Sequence, residues 1–316
     1  MKIVSCAHKK LMMTKFKYGV AILLLMLIVT VSCKKDDEGG PAPPPPRDRG
    51  VEAARAQIEI ESFLATHFYN YEEFAADPEN FKLKFDTIAG DNASKIPLAG
   101  QVSFKEVKDV IDETVTYKLY YLNVRQGGGD RPYFSDYTTN TYDGRLLNLE
   151  LFDSSIIPIR FNLVDTQTSP GIIRGLQQAI IEFNGASEVI ANPDGTLTFE
   201  DYGIGAVFIP SGLGYYQFPP AGDLNAYDQL IFSFELFASE IADHDRDGIP
   251  SHIEDLNGNQ YLLDDDTNTN GVPNYLDVDD DGDGRLTIFE IEFVNGVLTF
   301  PDRNGNGIAD YLDSTI

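Results

Sequence analysis

"GIIRGLQQAIIEF", residues 171–183, is the strongest helical pattern in the middle of a chain of 316 residues. Its apolar residues recur at i, i+3, i+7 and i+10, the spacing of one helix face: Ile173, Leu176, Ile180 and Phe183. Strand-like runs lie on both sides of it: "YKLYYLNV" (117–124), "AVFIP" (206–210) and "QLIFSFELF" (229–237). The pattern predicts an α+β domain in which an antiparallel sheet wraps around one helix.

The order of motifs around this helix resembles that of the FKBP-type peptidyl-prolyl cis-trans isomerases. The matching segments lie within residues 122–236: "LNVRQGGGDRP", "YDGRLLNLELFDSS", "PIRFNL", "GIIRGLQQAI", "FIPSGLGYY", "FPP" and "LIFSFEL". Of these segments, "FDSS" and "GIIRGL" are the least expected to match by chance. The resemblance implies an FKBP-like domain over residues 111–240.

The resemblance also implies which residues form the site. An apolar slot for a proline ring would be lined by Tyr142, Phe152, Ile159, Ile172, Ile173, Phe218 and Phe232, with Leu176 as its floor. The Ile173 N–H and the Tyr215 hydroxyl would hold substrate carbonyls, and Asp153 would lie at the rim. Each apolar member also fits ordinary core packing. Tyr215 and Asp153 are more informative, because a polar tip in an apolar wall needs a partner.

These residue types suit the chemistry of prolyl isomerisation. Rotation about an X-Pro bond faces a barrier of about 18–20 kcal/mol, because the amide resists losing its planarity. Lowering this barrier requires neither a metal nor a proton donor. An aromatic slot can hold the proline ring, exclude water from the planar amide and hydrogen-bond the carbonyl in its twisted form.

The sequence departs from the family pattern at the slot floor. Leu176 stands where the family usually has tryptophan, which implies a shallower and less aromatic slot. Two functions therefore remain open: an isomerase or folding helper for exported proline-containing polypeptides, and a non-catalytic module that binds such segments. A third hypothesis, a purely structural surface protein, leaves the residues of the slot unexplained.

Residues 1–32 have the features of a signal peptide. Several lysines precede the apolar run "VAILLLMLIVTVS" (20–32), which is too short to favour a membrane-spanning helix. A retained anchor helix is the alternative, and Met13 is a second possible start. The run ends at Cys33 and resembles a bacterial lipobox, except that Thr30 occupies the position where leucine is usual. The sequence thus predicts lipidation of Cys33.

The segment 33–50 predicts a tether to the outer membrane. "CKKDDE" (33–38) resembles the signal that directs some lipoproteins to the cell surface, and the alternative is a plain soluble tether. The proline run that follows favours extended polyproline geometry. Cys6 is removed with the signal, so Cys33 has no disulfide partner.

Charge excludes one class of partner. Without residues 1–32 the chain loses five lysines and no acid, which leaves 19 basic and 50 acidic residues and a net charge of −31. Such a chain is not expected to bind nucleic acid. Residues 241–316 hold 18 acidic residues and three arginines, so this tail differs in composition from the rest.

Residues 51–110 have no assigned role. Ile60, Phe63, Leu64 and Phe68 recur at helical spacing, and "FKLKFDTI" (81–88) alternates like a strand. The segment is expected either to pack on the main domain or to pair two protomers.

The acidic tail repeats a twelve-residue pattern. The four units are loop 1, "DHDRDGIPSHIE" (243–254); loop 2, "DTNTNGVPNYLD" (266–277); loop 3, "DDDGDGRLTIFE" (279–290); and loop 4, "DRNGNGIADYLD" (302–313). Each has oxygen-bearing side chains at positions 1, 3 and 5, glycine at position 6 and an acid at position 12. This is the ligand pattern of a calcium loop. "DLNGNQYLLDDD" (255–266), called the intervening loop below, is a degenerate fifth unit.

The spacing distinguishes between two kinds of calcium protein. Loop starts are 23, 13 and 23 residues apart, and a spacing of 13 leaves no room for the flanking helices of an EF-hand. The repeat resembles thrombospondin type 3 repeats, which implies Ca²⁺ as cofactor. The predicted ligands are Asp243, Asp245, Asp247, Glu254, Asp266, Asn268, Asn270, Asp277, Asp279, Asp281, Asp283, Glu290, Asp302, Asn304, Asn306 and Asp313. A solvated acidic linker is the alternative.

Overall fold

A six-stranded antiparallel sheet with helices on both faces is the centre of the structure, a computed structural model that describes residues 45–166 and 170–316. The predicted signal segment, Cys33 and most of the tether lie outside the described residues. In chain order the elements are α1 (Arg49–Thr66), β1 (His67–Tyr69), α2 (Tyr71–Ala76), β2 (Phe85–Thr87), β3 (Ser103–Lys108), β4 (Thr116–Arg125), β5 (Tyr137–Leu146), β6 (Leu151–Asn162), α3 (Arg174–Ile180), β7 (Glu188–Ala191), β8 (Leu197–Glu200), β9 (Gly203–Ile209), β10 (Leu230–Glu240), β11 (Glu292–Val294) and β12 (Val297–Thr299).

The sheet has the strand order β3-β4-β9-β10-β5-β6, and every neighbouring pair is antiparallel. The predicted α+β class and antiparallel sheet are confirmed. Among the described residues, three two-stranded antiparallel sheets, β1-β2, β7-β8 and β11-β12, lie outside this sheet. Within the described residues, no helix is long and apolar enough to cross a bilayer.

The helix α3 packs on one face of the sheet. Because side chains alternate across a strand, one set of strand residues meets this helix. Phe232 and Phe234 of β10 and Ile209 of β9 belong to this set, and together with Leu176 and Ile180 of α3 they form the main core. Leu176 and Ile180 of the predicted spacing thus pack against the sheet, whereas Ile173 and Phe183 lie just outside the helix, which is shorter than the predicted stretch.

The helix α1 covers the opposite face, which answers the open question about residues 51–110. Ile60, Phe63 and Leu64 pack against Phe208 and Ile231, which are the alternate residues of the two central strands. Burial of each such side chain contributes about 1.5–3 kcal/mol. Both faces of β9 are consequently buried along its whole length.

The start of α1 is fixed by polar contacts. The Asp48 side chain accepts a hydrogen bond from the Val51 N–H at 2.9 Å and caps the helix. Arg49 pairs with the buried Asp109, which also accepts a hydrogen bond from the Tyr117 hydroxyl at 2.6 Å. The helix ends at Thr66, so Phe68, which matched the helical spacing, lies in β1 instead.

The acidic tail packs on the domain that precedes it. Leu262 and Tyr275 belong to the same core cluster as α3 and the central strands. The Tyr275 hydroxyl donates to the main-chain oxygen of Asp165 at 2.6 Å, and the ring of His252 stacks on Tyr133 with centroids 3.6 Å apart. Residues 47–316 form one compact unit. A further apolar cluster within the tail is built around Ile249, Ile291 and Tyr311.

Candidate functional site

An aromatic cluster lies where β5, β6 and β10 face the start of α3. The ring of Phe232 lies 5.9 Å from that of Tyr142 and 5.6 Å from that of Phe152, the latter edge-on. Tyr142 also contacts Phe161, at a centroid distance of 5.4 Å. The strand register produces this arrangement, because Tyr142 and Gly144 of β5 lie beside Phe234 and Phe232 of β10.

Gly144 makes room for these rings. A Cβ atom at this position would lie 2.7 Å from the Phe152 ring and 3.1 Å from the Phe232 ring, both closer than ordinary contact. The sequence prediction did not include Gly144 among the site residues. A glycine inside a strand is a usable signal of such close approach, and the motif "YDG" carries it.

A tyrosine–carboxylate pair lies at the rim of the cluster. The Tyr142 hydroxyl donates to Asp153 Oδ2 at 2.7 Å, and Asp153 is exposed. Burial and this hydrogen bond raise the pKa of Tyr142 well above its ordinary value. Burial, and then the charge of Asp153, also raise the pKa of Tyr215. Both tyrosines therefore stay protonated at neutral pH and can donate hydrogen bonds.

The start of α3 forms another wall. Leu176 is buried, and Ile172, Ile173 and Tyr215 are half-buried against the same core cluster. The backbone of Ile173 is extended and its carbonyl accepts from the N–H groups of Leu176 and Gln177. The first N–H groups of a helix lack an i−4 partner inside it, and the Ile173 N–H lies directly before those of α3. A cleft of about 350 Å³ lies beside this turn, between Ile173 and Tyr261 of the tail.

Most of the predicted slot residues lie together, but two do not join the core cluster. Phe218 is 77% exposed. Ile159 is half-buried on β6, opposite Asn140 of β5. The apolar cluster thus consists of Tyr142, Phe152, Ile172, Ile173, Leu176, Tyr215 and Phe232.

The four acidic loops share one backbone conformation. In each, the carboxylate at position 1 accepts from the N–H at position 6: Asp243 from Gly248 (3.2 Å), Asp266 from Gly271 (2.9 Å), Asp279 from Gly284 (3.1 Å) and Asp302 from Gly307 (2.8 Å). The glycine φ angles lie between 88° and 101°, in the region that favours glycine. One turn of 3₁₀ helix follows at positions 9–11 of every loop.

The first half of the intervening loop has the same conformation despite its degenerate sequence, whereas its 3₁₀ turn, Leu262–Asp264, begins one position earlier. Asp255 accepts from the N–H of Gln260 at 2.9 Å, and Gln260 has a φ angle of 59° where the other loops have glycine. Asn259 and Asn257 repeat the hydrogen bonds made at positions 5 and 3 of the other loops. The tail therefore contains five loops of one kind.

Loops 1 and 3 contain buried carboxylate oxygens without hydrogen-bond partners among the described residues. Neither oxygen of Glu254 or of Glu290 has one, although both side chains are completely buried. Burial and neighbouring acids raise the pKa of Glu254 to about 11 and that of Glu290 to about 7. Arg285 lies 3.7 Å from Glu290 Oε1 as an ion pair, whereas no such pair is formed by Glu254 among the described residues. Buried charges need a partner, and an oxygen-rich set of this kind fits a divalent cation such as Ca²⁺.

In each of these loops the oxygens of positions 1, 3 and 5 converge. One carboxylate oxygen each from Asp243, Asp245 and Asp247 lies within 4.8 Å of the others, and the same is true of Asp279, Asp281 and Asp283. Oxygens around one calcium ion lie 2.3–2.6 Å from it, so a separation below about 5 Å allows a shared ion. The predicted ligands of loops 1 and 3 thus fit the ion.

Loops 2 and 4 carry asparagine at positions 3 and 5, and their amide groups donate to the acid at position 12. Asn268 and Asn270 donate to Asp277 at 3.1 and 2.8 Å. Asn304 and Asn306 donate to Asp313, both at 2.7 Å. These contacts bring the side chains at positions 3, 5 and 12 of each loop together.

Comparisons with known proteins match two parts of the chain. Residues 244–301 match the family model described as the C-terminal part of BamM. Among solved structures, a peptidyl-prolyl cis-trans isomerase from Pseudomonas syringae is similar, with 18% identity, a TM-score of 0.33 and coverage of 61% of this chain and 98% of that one. No curated protein matches the chain.

Two further solved structures are similar at the same level. FkpA from Escherichia coli has 19% identity and a TM-score of 0.32, with coverage of 59% of this chain and 63% of that one. The three FKBP domains of wheat FKBP73 have 16% identity and a TM-score of 0.32, with coverage of 44% and 51%. The chain spans less than two thirds of the latter two proteins. Similarities at this level do not establish function, so the proposal below rests on the side chains of the site.

Proposed function

We propose that the chain is a peptidyl-prolyl cis-trans isomerase, or folding helper, for exported proline-containing polypeptides. The observation that carries the proposal is the hydrogen bond from Tyr142 to Asp153 at the rim of an aromatic cluster that includes Phe152 and Phe232. Polar groups here are placed where a peptide carbonyl would meet an apolar wall.

Each part of the site has a role in this proposal. The rings of Phe152, Phe232 and Tyr142 hold the proline ring and exclude water, which disfavours the more polar planar amide. The Ile173 N–H and the Tyr215 hydroxyl hydrogen-bond substrate carbonyls. Asp153 orients the Tyr142 hydroxyl. Catalysis then follows from better binding of the twisted amide than of either planar form.

The test is cis/trans exchange of a short X-Pro peptide, measured by NMR with the purified chain. We expect acceleration that grows with protein concentration, and a decrease of about tenfold for Asp153→Ala, equivalent to about 1.4 kcal/mol in the barrier. Asp194→Ala is the matched control, because Asp194 is an exposed carboxylate in the turn between β7 and β8 and should leave the rate unchanged.

A second candidate is a binding module without catalysis. Two features favour it: Leu176, at the position that the resemblance assigns to the slot floor, is aliphatic, and Phe218 is exposed. The same NMR experiment distinguishes the two. Peptide chemical shifts that move on binding without a faster exchange rate would support the module and contradict the isomerase.

We also propose that the tail binds calcium and is stiffened by it. The buried oxygens of Glu254 and Glu290 that lack hydrogen bonds support this. Because bound ions offset the repulsion between these acids, calcium should protect the tail from proteolysis. Glu290→Gln should weaken this protection more than Glu292→Gln, a neighbouring glutamate that is exposed and paired with Arg303. Identical digestion patterns with calcium and with chelator would contradict calcium binding.

The last part of the proposal is attachment to the outer membrane through lipid on Cys33, with export to the cell surface directed by residues 34–38. It is supported by the sequence alone. Cys33→Ser should abolish lipid labelling and release the protein from membranes, because one residue carries the acyl chains. Neutral replacements of "KKDD" (34–37) should reduce accessibility to protease outside intact cells, and unchanged accessibility would contradict surface export.

A further inference from the structure

Three buried carboxylates from two different loops converge in the tail. Asp247 and Glu254 belong to loop 1, and Asp280 is the second residue of loop 3. One oxygen of each lies within 4.8 Å of the others, and the three side chains are at most 2% exposed. The set shares Asp247 with the position 1, 3 and 5 acids of loop 1, and Glu254 is the predicted position 12 ligand of that loop, so only Asp280 comes from outside it.

The loop pattern itself does not require an acid at position 2. The other three loops have His244, Thr267 and Arg303 there. In loop 3 the Asp280 N–H donates to Thr287 Oγ1 at 3.2 Å, and this hydroxyl donates back to Asp280 Oδ2 at 3.1 Å. The side chain is therefore held by its own loop through one oxygen.

The other oxygen of Asp280 is directed into the shared position. Asp280 Oδ1, Asp247 Oδ2 and both oxygens of Glu254 are buried and have no hydrogen-bond partner among the described residues. Asp247 is held in the same way as Asp280, because its Oδ1 accepts a hydrogen bond from the Ile249 N–H at 2.7 Å. Each aspartate thus has one oxygen that holds a loop and one that faces the other carboxylates.

We propose that Asp280 of loop 3 joins Asp247 and Glu254 as a ligand of the divalent cation of loop 1, so that this ion links loop 1 to loop 3. Three converging carboxylates without a counter-charge suit a hard cation with oxygen ligands, which makes Ca²⁺ the expected ion. The inference rests on the calcium binding proposed for the tail. It adds that loops separated by 24 residues in sequence share an ion, so that they bind and fold together.

The test compares Asp280→Asn with the wild-type full chain. The bound calcium of each is counted by equilibrium dialysis and elemental analysis, and melting is followed in calcium and in chelator. Asparagine keeps the size of the side chain and a partner for Thr287 but removes the charge. Asp310→Asn is the matched control. Asp310 is equally buried, but its oxygens are engaged by the Arg303 N–H (2.8 Å) and guanidinium (2.5 Å).

We expect Asp280→Asn to bind about one calcium ion fewer per chain than wild type, because a calcium site usually requires several carboxylate ligands. It should also melt at a higher temperature than wild type in chelator, because folding no longer requires this carboxyl group to be buried without a partner or to take up a proton. In calcium it should melt at a lower temperature, because a ligand is lost. Asp310→Asn should keep the wild-type ion count. A melting temperature that rises in chelator but falls in calcium distinguishes a calcium ligand from a side chain that only stabilises the fold.

Two results would overturn the inference while leaving calcium binding by the tail intact. One is an unchanged ion count in Asp280→Asn, as expected if the three carboxyl groups simply hold protons. The other is a lower melting temperature in both conditions. A wild-type chain that binds no calcium would instead overturn the calcium part of the proposed function together with this inference.

Discussion

Arg174, the first residue of α3, donates a hydrogen bond from its guanidinium to the main-chain oxygen of Gln260 in the intervening loop, at 3.0 Å. A second guanidinium nitrogen donates to the main-chain oxygen of Asn259 at 3.2 Å. Arg174 follows directly after Ile173, whose N–H is proposed to hold a substrate carbonyl. The acidic tail therefore supports the turn that forms one wall of the slot.

Removal of this contact should loosen the turn. We expect Arg174→Gln to lower the free energy of unfolding in calcium by about 1–3 kcal/mol, because carbonyl groups that a charged donor satisfied lose their partner. Urea denaturation of both proteins measures the difference. Arg246→Gln is the control, since Arg246 is an exposed arginine of the tail and should change stability by less than about 0.5 kcal/mol. Equal stability of Arg174→Gln and wild type would show that the contact is incidental.

A methyl group at Gly144 should damage the slot directly. The added Cβ of Gly144→Ala would collide with the Phe152 and Phe232 rings, so we expect a loss of about 1–3 kcal/mol and weaker binding of X-Pro peptides. Gly100→Ala is the control, because a Cβ there meets no atom within 4 Å. The measurements are urea denaturation and an NMR peptide titration. Wild-type peptide affinity in Gly144→Ala would place the binding site elsewhere.

In chelator, the free energy of unfolding should decrease as the pH rises. Most acidic side chains have the opposite effect, because their contribution to stability increases with pH. Burial raises the pKa of Asp245 and of Asp280 to about 8, and that of Asp247 to about 6. Between these values and an ordinary pKa of about 4, the folded chain binds protons that the unfolded chain does not. Stability should therefore fall as the pH rises from about 5 to about 8.

The check is the urea midpoint across this range, with and without calcium. Calcium replaces the protons at these acids, so the fall should be reduced or absent when calcium is saturating. A midpoint in chelator that stays flat or rises with pH would show that these carboxylates are not desolvated in the folded chain.

Local patterns in the sequence predicted much of the fold. The spacing of Leu176 and Ile180 marks the buried face of α3, and the alternation of Phe232 and Phe234 marks one face of β10. The helical spacing around Ile60 likewise predicted α1. Its location was not predictable, because an apolar helix face shows that a partner exists but does not identify it. The predicted strand at 81–88 is shorter, and only Phe85–Thr87 form β2.

Features that depend on distant contacts were missed for the same reason. The motif predicted ligands at positions 1, 3, 5 and 12, because these spacings act within one loop. Asp280 lies at a position without a role inside its loop, and only the packing of loop 3 against loop 1 brings it to Glu254. The contact of Arg174 with Gln260 was also not predictable, because neither the residue types nor their spacing in the sequence indicates that they meet.

The central claim is that the chain isomerises X-Pro bonds in a slot whose wall the calcium loops support. It is tested most directly by the exchange rate of an X-Pro peptide, measured by NMR on one sample of the full chain, first in saturating calcium and then after chelation. We expect clear acceleration in calcium and a smaller effect in chelator, because the intervening loop no longer holds Arg174 beside Ile173. Acceleration of the same size in both conditions would contradict the coupling, and no acceleration in either would contradict the isomerase itself.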